Sequence, residues 1–93
     1  MIEQNLGVLA NIRGDLDGAL VRYRAALRAF QEVSDDEAVS WVLNNMGMLL
    51  TDLSLPLRAE RSFLQGLEIA KTRRDRPMEG VLRANYSESL IAL

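Results

Sequence analysis

Apolar residues recur along the chain at intervals of three and four, with polar residues between them. This spacing places apolar side chains on one face of an α-helix, whereas a half-buried strand would alternate in steps of two. The fullest stripes are Leu16, Ala19, Leu20, Tyr23, Ala26, Leu27 and Phe30; Ala38, Trp41, Val42, Met46, Leu49 and Leu50; and Leu57, Ala59, Phe63, Leu64, Leu67 and Ala70. With one helix ending at Gly14 and another running from Asp75 to the end, the pattern predicts five helices and no strand.

The predicted helices begin at residues that commonly cap helix N-termini. Asp15 directly precedes one apolar stripe. Ser34 and Glu37 have the spacing of a capping box, in which the two side chains bond reciprocally to free backbone N–H groups. Ser54 precedes Pro56, which is tolerated in a first turn because its missing N–H would be unpaired there anyway. We therefore predict N-caps at Asp15, Ser34 and Ser54.

The chain repeats itself at a spacing of 40 residues. Asn5-Leu6-Gly7 returns as Asn45-Met46-Gly47 and, less closely, as Asn85-Tyr86-Ser87. Other pairs at the same spacing are Leu9 with Leu49, Ala19 with Ala59, Tyr23 with Phe63, and Leu27 with Leu67. We predict one domain over 1–93, with repeats at 1–40 and 41–80 and the first or capping helix of a third at 81–93.

These units resemble the tetratricopeptide repeat. That family's unit carries a Leu-Gly pair, a residue three positions on, and then Ala-x-x-x-aromatic followed by a small residue. The matching positions are Leu6, Gly7, Ala10, Ala19, Tyr23 and Ala26 in the first unit, and Met46, Gly47, Leu50, Ala59, Phe63 and Gly66 in the second. The resemblance implies an all-α fold, a right-handed α-solenoid of antiparallel helix pairs. The alternative is a five-helix bundle whose repetition is coincidental.

The units also depart from the family pattern. Its early Trp is replaced by Glu3, Leu43 and Arg83, and its closing Pro by Gln31 and Lys71. Without that Pro each second helix can continue, which gives a unit of 40 residues where the family has 34. Units of this length are similar to the repeats of kinesin light chains and of large bacterial transcriptional regulators.

The resemblance implies a binding groove. Stacked helix pairs form a concave surface lined by the first helix of each unit. Because the face carrying Leu6, Gly7 and Ala10 is used for packing, we expect the neighbouring stripe to bind a peptide or a segment of a protein partner. The candidate residues are Gln4, Asn5, Val8, Asn11, Trp41, Asn44, Asn45, Met48, Asp52, Asn85 and Glu88.

Three asparagines, Asn5, Asn45 and Asn85, occupy the same place in the three units. An Asn amide offers both a donor and an acceptor. In related repeats an Asn here often touches the ligand backbone, so the resemblance implies a ladder that clamps a peptide. The alternative is that these amides hydrogen-bond across the helix pair. Trp41 and Met48, about one turn to either side of Asn45, either anchor an apolar residue of the partner or are partly buried between adjacent first helices.

The composition argues against catalysis. The 93 residues include no Cys and no His, which removes the thiol nucleophile, the commonest general base and the commonest transition-metal ligand. The acidic run at 35–37 reads as a helix start, with a hard metal ion as the weaker alternative. We predict no enzymatic activity, no catalytic residue, no cofactor and no metal.

Charge narrows the choice of partner. Eleven basic and thirteen acidic residues give a formal charge of −2, whereas nucleic-acid-binding proteins usually show the opposite bias. The basic stretch 71–76 is typical of a helix end, with a nucleic-acid patch as the alternative. No apolar run approaches the roughly 18 residues of a membrane span. We predict a protein or peptide partner, no nucleic acid and no membrane, and a cytoplasmic location. Asp52 and Glu88 favour a basic or neutral peptide.

A structural role is the alternative function. Leu90, Ile91 and Leu93 leave an apolar end on the last helix, where a terminal repeat normally carries a polar face. The chain would then be an oligomerisation segment of a larger bacterial regulatory protein, forming a homodimer through its C-terminal helix or a longer solenoid. The bacterial assignment comes from the basic residues, of which all but Lys71 are Arg.

Overall fold

The computed structural model describes residues 15–92, and within that range the chain forms four helices of 17 residues each. They are α1 (Leu16–Glu32), α2 (Asp36–Asp52), α3 (Pro56–Thr72) and α4 (Arg76–Ala92). They start at residues 16, 36, 56 and 76, so successive helices begin 20 residues apart. The sequence predicted five helices. Four of them lie in the described part of the chain, and the predicted helix that ends at Gly14 lies outside it.

The repeat boundaries placed at 40/41 and 80/81 fall inside α2 and α4. A period has no natural starting point, and the prediction counted its units from residue 1. If a unit is counted from the start of its first helix, α2 and α3 form one complete unit, and α4 is the first helix of the following unit.

Two of the three predicted N-caps are wrong or displaced. Asp15 does cap α1, accepting a 2.8 Å hydrogen bond from the Gly18 N–H. The cap of α2 is Asp35 rather than Ser34, and its carboxylate accepts from the Ala38 N–H at 3.2 Å. The cap position of α3 is Leu55, which has no side-chain hydrogen bond to offer.

The turns explain these displacements. Ser34, Ser54 and Arg74 have φ angles of 56°, 60° and 56°, in the left-handed region. In each turn the N–H of the next residue donates to the carbonyl five residues earlier, at 2.9 to 3.0 Å. This is the Schellman arrangement that ends a helix, and it usually uses Gly at the left-handed position. Both serines therefore close the preceding helix instead of capping the next one.

The core is organised around α2, which packs against α1, α3 and α4. Gly47 in α2 lies under the Phe63 ring of α3, so close that an added Cβ would stand 2.6 Å from Phe63 Cζ. The Phe63 ring also contacts the next unit, because it stacks on Tyr86 of α4 with the ring centroids 5.7 Å apart. Gly47 thus permits the close approach of α2 and α3, and the Phe63 ring fills the space between this helix pair and α4.

Three residues of the predicted apolar stripes are exposed, and one of them, Trp41, was also a candidate for the binding groove. Leu57 is 75% exposed, Leu64 47% and Trp41 42%. At about 100° per residue, Leu57 and Leu64 lie roughly 140–160° around α3 from the buried Ala59, so the face that packs on α2 cannot include them. Apolar spacing alone did not distinguish them from the core because Leu57 and Leu64 are seven residues apart and share a helical face of their own.

Candidate functional site

The first helices of two successive units, α2 and α4, lie side by side and parallel. Asn85 Nδ2 donates to Asn44 Oδ1 at 2.9 Å, and the Thr51 and Ser89 hydroxyl oxygens are 2.6 Å apart. Both contacts advance along the two helices in the same direction, from 44 and 85 to 51 and 89. Thr51 Oγ1 also donates to the Gly47 carbonyl at 2.9 Å, so the Ser89 hydroxyl is left to donate to Thr51.

Four residues of α2 form a stripe beside this seam. Trp41, Asn45, Met48 and Asp52 follow the i, i+4, i+7, i+11 spacing of one helical face. Trp41 is 42% and Met48 45% exposed, Asp52 is exposed and Asn45 is half-buried. A large aromatic and a flexible thioether side chain are thus available at the surface.

A cleft of about 180 Å³ opens between the C-terminal halves of α2 and α4. Its lining residues are Met48, Thr51, Asp52, Asn85, Glu88 and Ser89. The volume is below the roughly 300–1,000 Å³ of small-molecule sites, so it suits one inserted side chain better than a whole cofactor. The lining combines one apolar side chain, three neutral polar groups and two carboxylates.

A second cleft, of about 310 Å³, lies on another face, between α1 and α3. It is lined by Gln31, Val39, Leu43, Gln65, Glu68 and Ile69. Its α2 floor is withdrawn from the surface, because Val39 is 3% and Leu43 4% exposed. No sequence pattern predicted this cleft.

The predicted asparagines do not all present a free amide to a ligand. Asn44 is 2% exposed, and its carbonyl is held by Asn85 while its amide nitrogen lies 3.8 Å from Met48 Sδ. It braces α2 against α4 and does not present a free amide to a ligand. Asn85 shares that brace although it also lines the cleft. The bond joins the first helices of two successive units, whereas the alternative drawn from the sequence was a bond across the helix pair of one unit.

The remaining predicted residues divide into two groups. Met48, Asp52 and Glu88 line the cleft between α2 and α4, and Asn45 is half-buried on the same stripe of α2 as Met48 and Asp52. Four others lie outside the described residues: Gln4, Asn5, Val8 and Asn11.

Ser89 was missed. Forty residues earlier stands Leu49, which is 1% exposed, and Ser89 itself is 6% exposed. A hydroxyl at a buried, otherwise apolar position needs a hydrogen-bond partner. That mismatch between the units was the available signal, and Thr51 is the partner it required.

Tyr86 links α4 to α3. Its hydroxyl donates to Glu60 Oε2 at 2.7 Å. This hydrogen bond raises the pKa of Tyr86 above its usual value, and burial and the negative charge of Glu60 act in the same direction. Burial also raises the pKa of Tyr23. Both hydroxyls therefore stay protonated at neutral pH, and the Tyr86 hydroxyl keeps its role as a donor to Glu60.

Within residues 15–92, no three Asp or Glu side chains gather as metal ligands would. Over the same residues no helix has the length and apolar character that crossing a membrane requires.

Antiparallel helix pairs joined by tight turns, with the first helices of successive units parallel, define an α-helical repeat protein. The family model described as tetratricopeptide repeat matches residues 1–72, about three quarters of the chain. The chain belongs to the tetratricopeptide repeat family. Comparison with curated proteins and with solved structures gave no significant match.

Proposed function

We propose that this chain is a protein-interaction module whose groove between α2 and α4 binds a peptide or an exposed segment of a partner protein. Repeats of this family generally mediate protein–protein interaction and are generally non-catalytic. The observation that carries the groove assignment is the exposure of Trp41 and Met48 beside the cleft that Met48 helps to line. Exposed aromatic and Met side chains next to a concavity are the usual anchors of an interface.

The cleft between α1 and α3 supports the proposal less well, although it is larger. The α2 side chains at its floor are almost fully buried, so they gain little from being covered by a partner. Trp41 and Met48 each still expose more than two fifths of their surface, and covering that apolar area contributes roughly 25 cal/mol per Å².

The test is a selection of displayed random peptides on the wild-type domain, followed by a screen on a Trp41→Ala/Met48→Ala variant. We expect clones whose binding is lost on the variant, because the anchors that they contact are missing. Both side chains are exposed, so circular dichroism melting should show an intact fold. Clones that bind both proteins equally, or no clones at all, would overturn the groove assignment.

Asn45 is tested in the same assay. If Asn45 clamps the peptide backbone, Asn45→Ala weakens the selected peptides while the melting temperature stays unchanged. A lower melting temperature with intact binding would instead assign Asn45 to the framework between helices. Trp41 is the only tryptophan of the chain, so its fluorescence reports binding in the wild type and in Asn45→Ala.

A second candidate function is self-association as a structural segment. Leu57, Leu64, Leu90 and Ile91 are all exposed, by 75%, 47%, 56% and 86%. The Tyr86–Glu60 hydrogen bond sets the first half of α3 beside the second half of α4. By helical spacing the three leucines lie on the same side of their helices as these two residues. Exposed apolar clusters of this kind mark interaction surfaces.

Light scattering after gel filtration at two concentrations tests this candidate. A dimer that Leu90→Glu returns to the monomer, while Val21→Glu on α1 leaves it intact, supports a homodimer through α4. Val21 is a matched control because it is 65% exposed. A monomer at both concentrations removes the candidate and leaves the groove as the working surface.

The proposal also includes the remaining predictions made from the sequence. It includes a right-handed solenoid with 40-residue units, no catalysis and no cofactor, no direct contact with nucleic acid or membrane, a cytoplasmic location and a bacterial source. Support comes from the sequence: no His or Cys, a formal charge of −2, and Arg in preference to Lys.

A further inference from the structure

One end of the groove is acidic. Asp52 and Glu88 are both exposed and line the same cleft, from α2 and α4 respectively. The other four lining residues are neutral, and none of the six is Lys or Arg. A cation entering the cleft would therefore meet two carboxylates and no competing positive charge.

The helix ends add to this potential. Because α2 and α4 are parallel, both place their C-terminal ends, which carry the negative pole of the helix dipole, on the same side of the molecule. Asp52 is the last residue of α2, and Glu88 lies in the last turns of α4. Neither helix has a basic residue in its last turn to offset the dipole. The dipoles and the carboxylates thus favour positive charge at one place.

The apolar anchors stand at defined distances from this acidic end. Met48 precedes Asp52 by four residues, which is about 6 Å along the helix axis. An extended peptide advances about 3.3 Å per residue, so it covers that distance in about two residues. Trp41 lies a further seven residues back, about 10 Å, which corresponds to about three more residues of extended chain.

From this arrangement we infer that the groove binds an extended segment that carries a Lys or Arg about two residues from an apolar residue. The cationic head lies between Asp52 and Glu88, and the apolar side chain lies on Met48. A second apolar residue about three positions further on reaches Trp41. This inference rests on the proposed groove function and specifies the chemistry of its occupant.

The test uses the groove-dependent peptides from the selection described above. We expect them to be enriched in Lys or Arg at that spacing from an apolar residue. Each of the tightest peptides is then synthesised with a fluorescent label, both as selected and with its basic residue changed to Gln. Affinity is measured against wild type, against Asp52→Asn/Glu88→Gln, and against Glu32→Gln/Glu68→Gln. The last variant changes the net charge equally at two exposed carboxylates outside the cleft.

Neutralising Asp52 and Glu88 should weaken the selected peptide about fivefold, the size expected for two exposed ion pairs. The same change should leave the Gln peptide unaffected, and Glu32→Gln/Glu68→Gln should have little effect on either. The affinity for wild type should also fall with added salt. Groove-dependent peptides without basic enrichment, or equal weakening by both double variants, would overturn the charge inference while leaving the groove function standing. An absence of groove-dependent peptides would overturn the groove function itself.

Discussion

At the scale of single residues, the contact between Gly47 and the Phe63 ring sets the distance between the two helices of a unit. A methyl group at position 47 would stand 2.6 to 2.8 Å from three ring carbons, and Phe63 is fully buried. Gly→Ala in a helix interior is otherwise favourable by about 1 kcal/mol, but overpacking a rigid core costs about 1–3 kcal/mol. We expect Gly47→Ala to lower the free energy of unfolding by up to about 2 kcal/mol in urea denaturation.

Gly80 provides the matched control. It lies in α4, is exposed, and an added Cβ would have no neighbour within 4 Å. Gly80→Ala should therefore raise the free energy of unfolding by about 0.5–1 kcal/mol, the helix-propensity gain alone. If both substitutions changed stability in the same direction, the close approach of α2 and α3 at Gly47 would not be a determinant of the fold.

At the scale of helices and turns, three left-handed residues end α1, α2 and α3, and none of the three is Gly. A non-Gly residue in this conformation costs about 1–2 kcal/mol, part of which Gly would recover. We expect Arg74→Gly to raise the free energy of unfolding by about 0.5–1 kcal/mol in urea denaturation, after the greater entropy of Gly in the unfolded chain is subtracted.

Ser87→Gly is the control for this change, because Ser87 is exposed within α4. Its helical backbone gains nothing from Gly, and the free energy of unfolding should fall by about 0.5 kcal/mol. A loss of stability with Arg74→Gly would show that the left-handed turn carries no strain for Gly to relieve.

These turns also show how far the sequence could predict the elements. The helices within the described residues were placed correctly, because apolar stripes such as Ala19, Tyr23 and Ala26 have helical spacing, and Pro56 and Asp75 mark where helices begin. The turn residues were misassigned because Ser is one of the residue types most often found at an N-cap. Nothing in the sequence around Ser34 indicates that its φ angle is left-handed. The choice between closing one helix and capping the next is made by the backbone hydrogen bonds of the folded turn.

At the scale of the whole molecule, the sequence indicated which residues of α2 lie at the surface better than it indicated the contacts between helices. Trp41, Met48 and Asp52 are surface residues because their helical face points away from the α2–α3 contact, which the repeat pattern already implied. The brace between Asn44 and Asn85 could not be predicted in the same way. Adjacent residues 44 and 45 both look suitable for a ligand, and only the packing of α4 against α2 determines which one is buried.

The flank of α4 offers a last comparison between units. In α2, Val39 and Leu43 lie between α1 and α3 and are almost fully buried. Forty residues later stand Glu79 and Arg83, paired across one helical turn at 3.8 Å, with the Arg83 side chain 62% exposed. A further helix packed over this half of α4 would have to desolvate the ion pair, which is unfavourable.

Restoring the α2 pattern in α4 should therefore remove a barrier to association. We expect the double substitution Glu79→Val/Arg83→Leu to self-associate in sedimentation velocity at concentrations where the wild type does not associate further, because the flank becomes apolar from the first turn of α4 to Leu90. Arg24→Leu/Glu32→Val, which makes the same kind of exchange at exposed positions of α1, should leave the distribution of species unchanged. Equal association of both variants would mean that added apolar surface promotes self-association wherever it lies. The ion pair would then have no particular role in preventing association at this flank of α4.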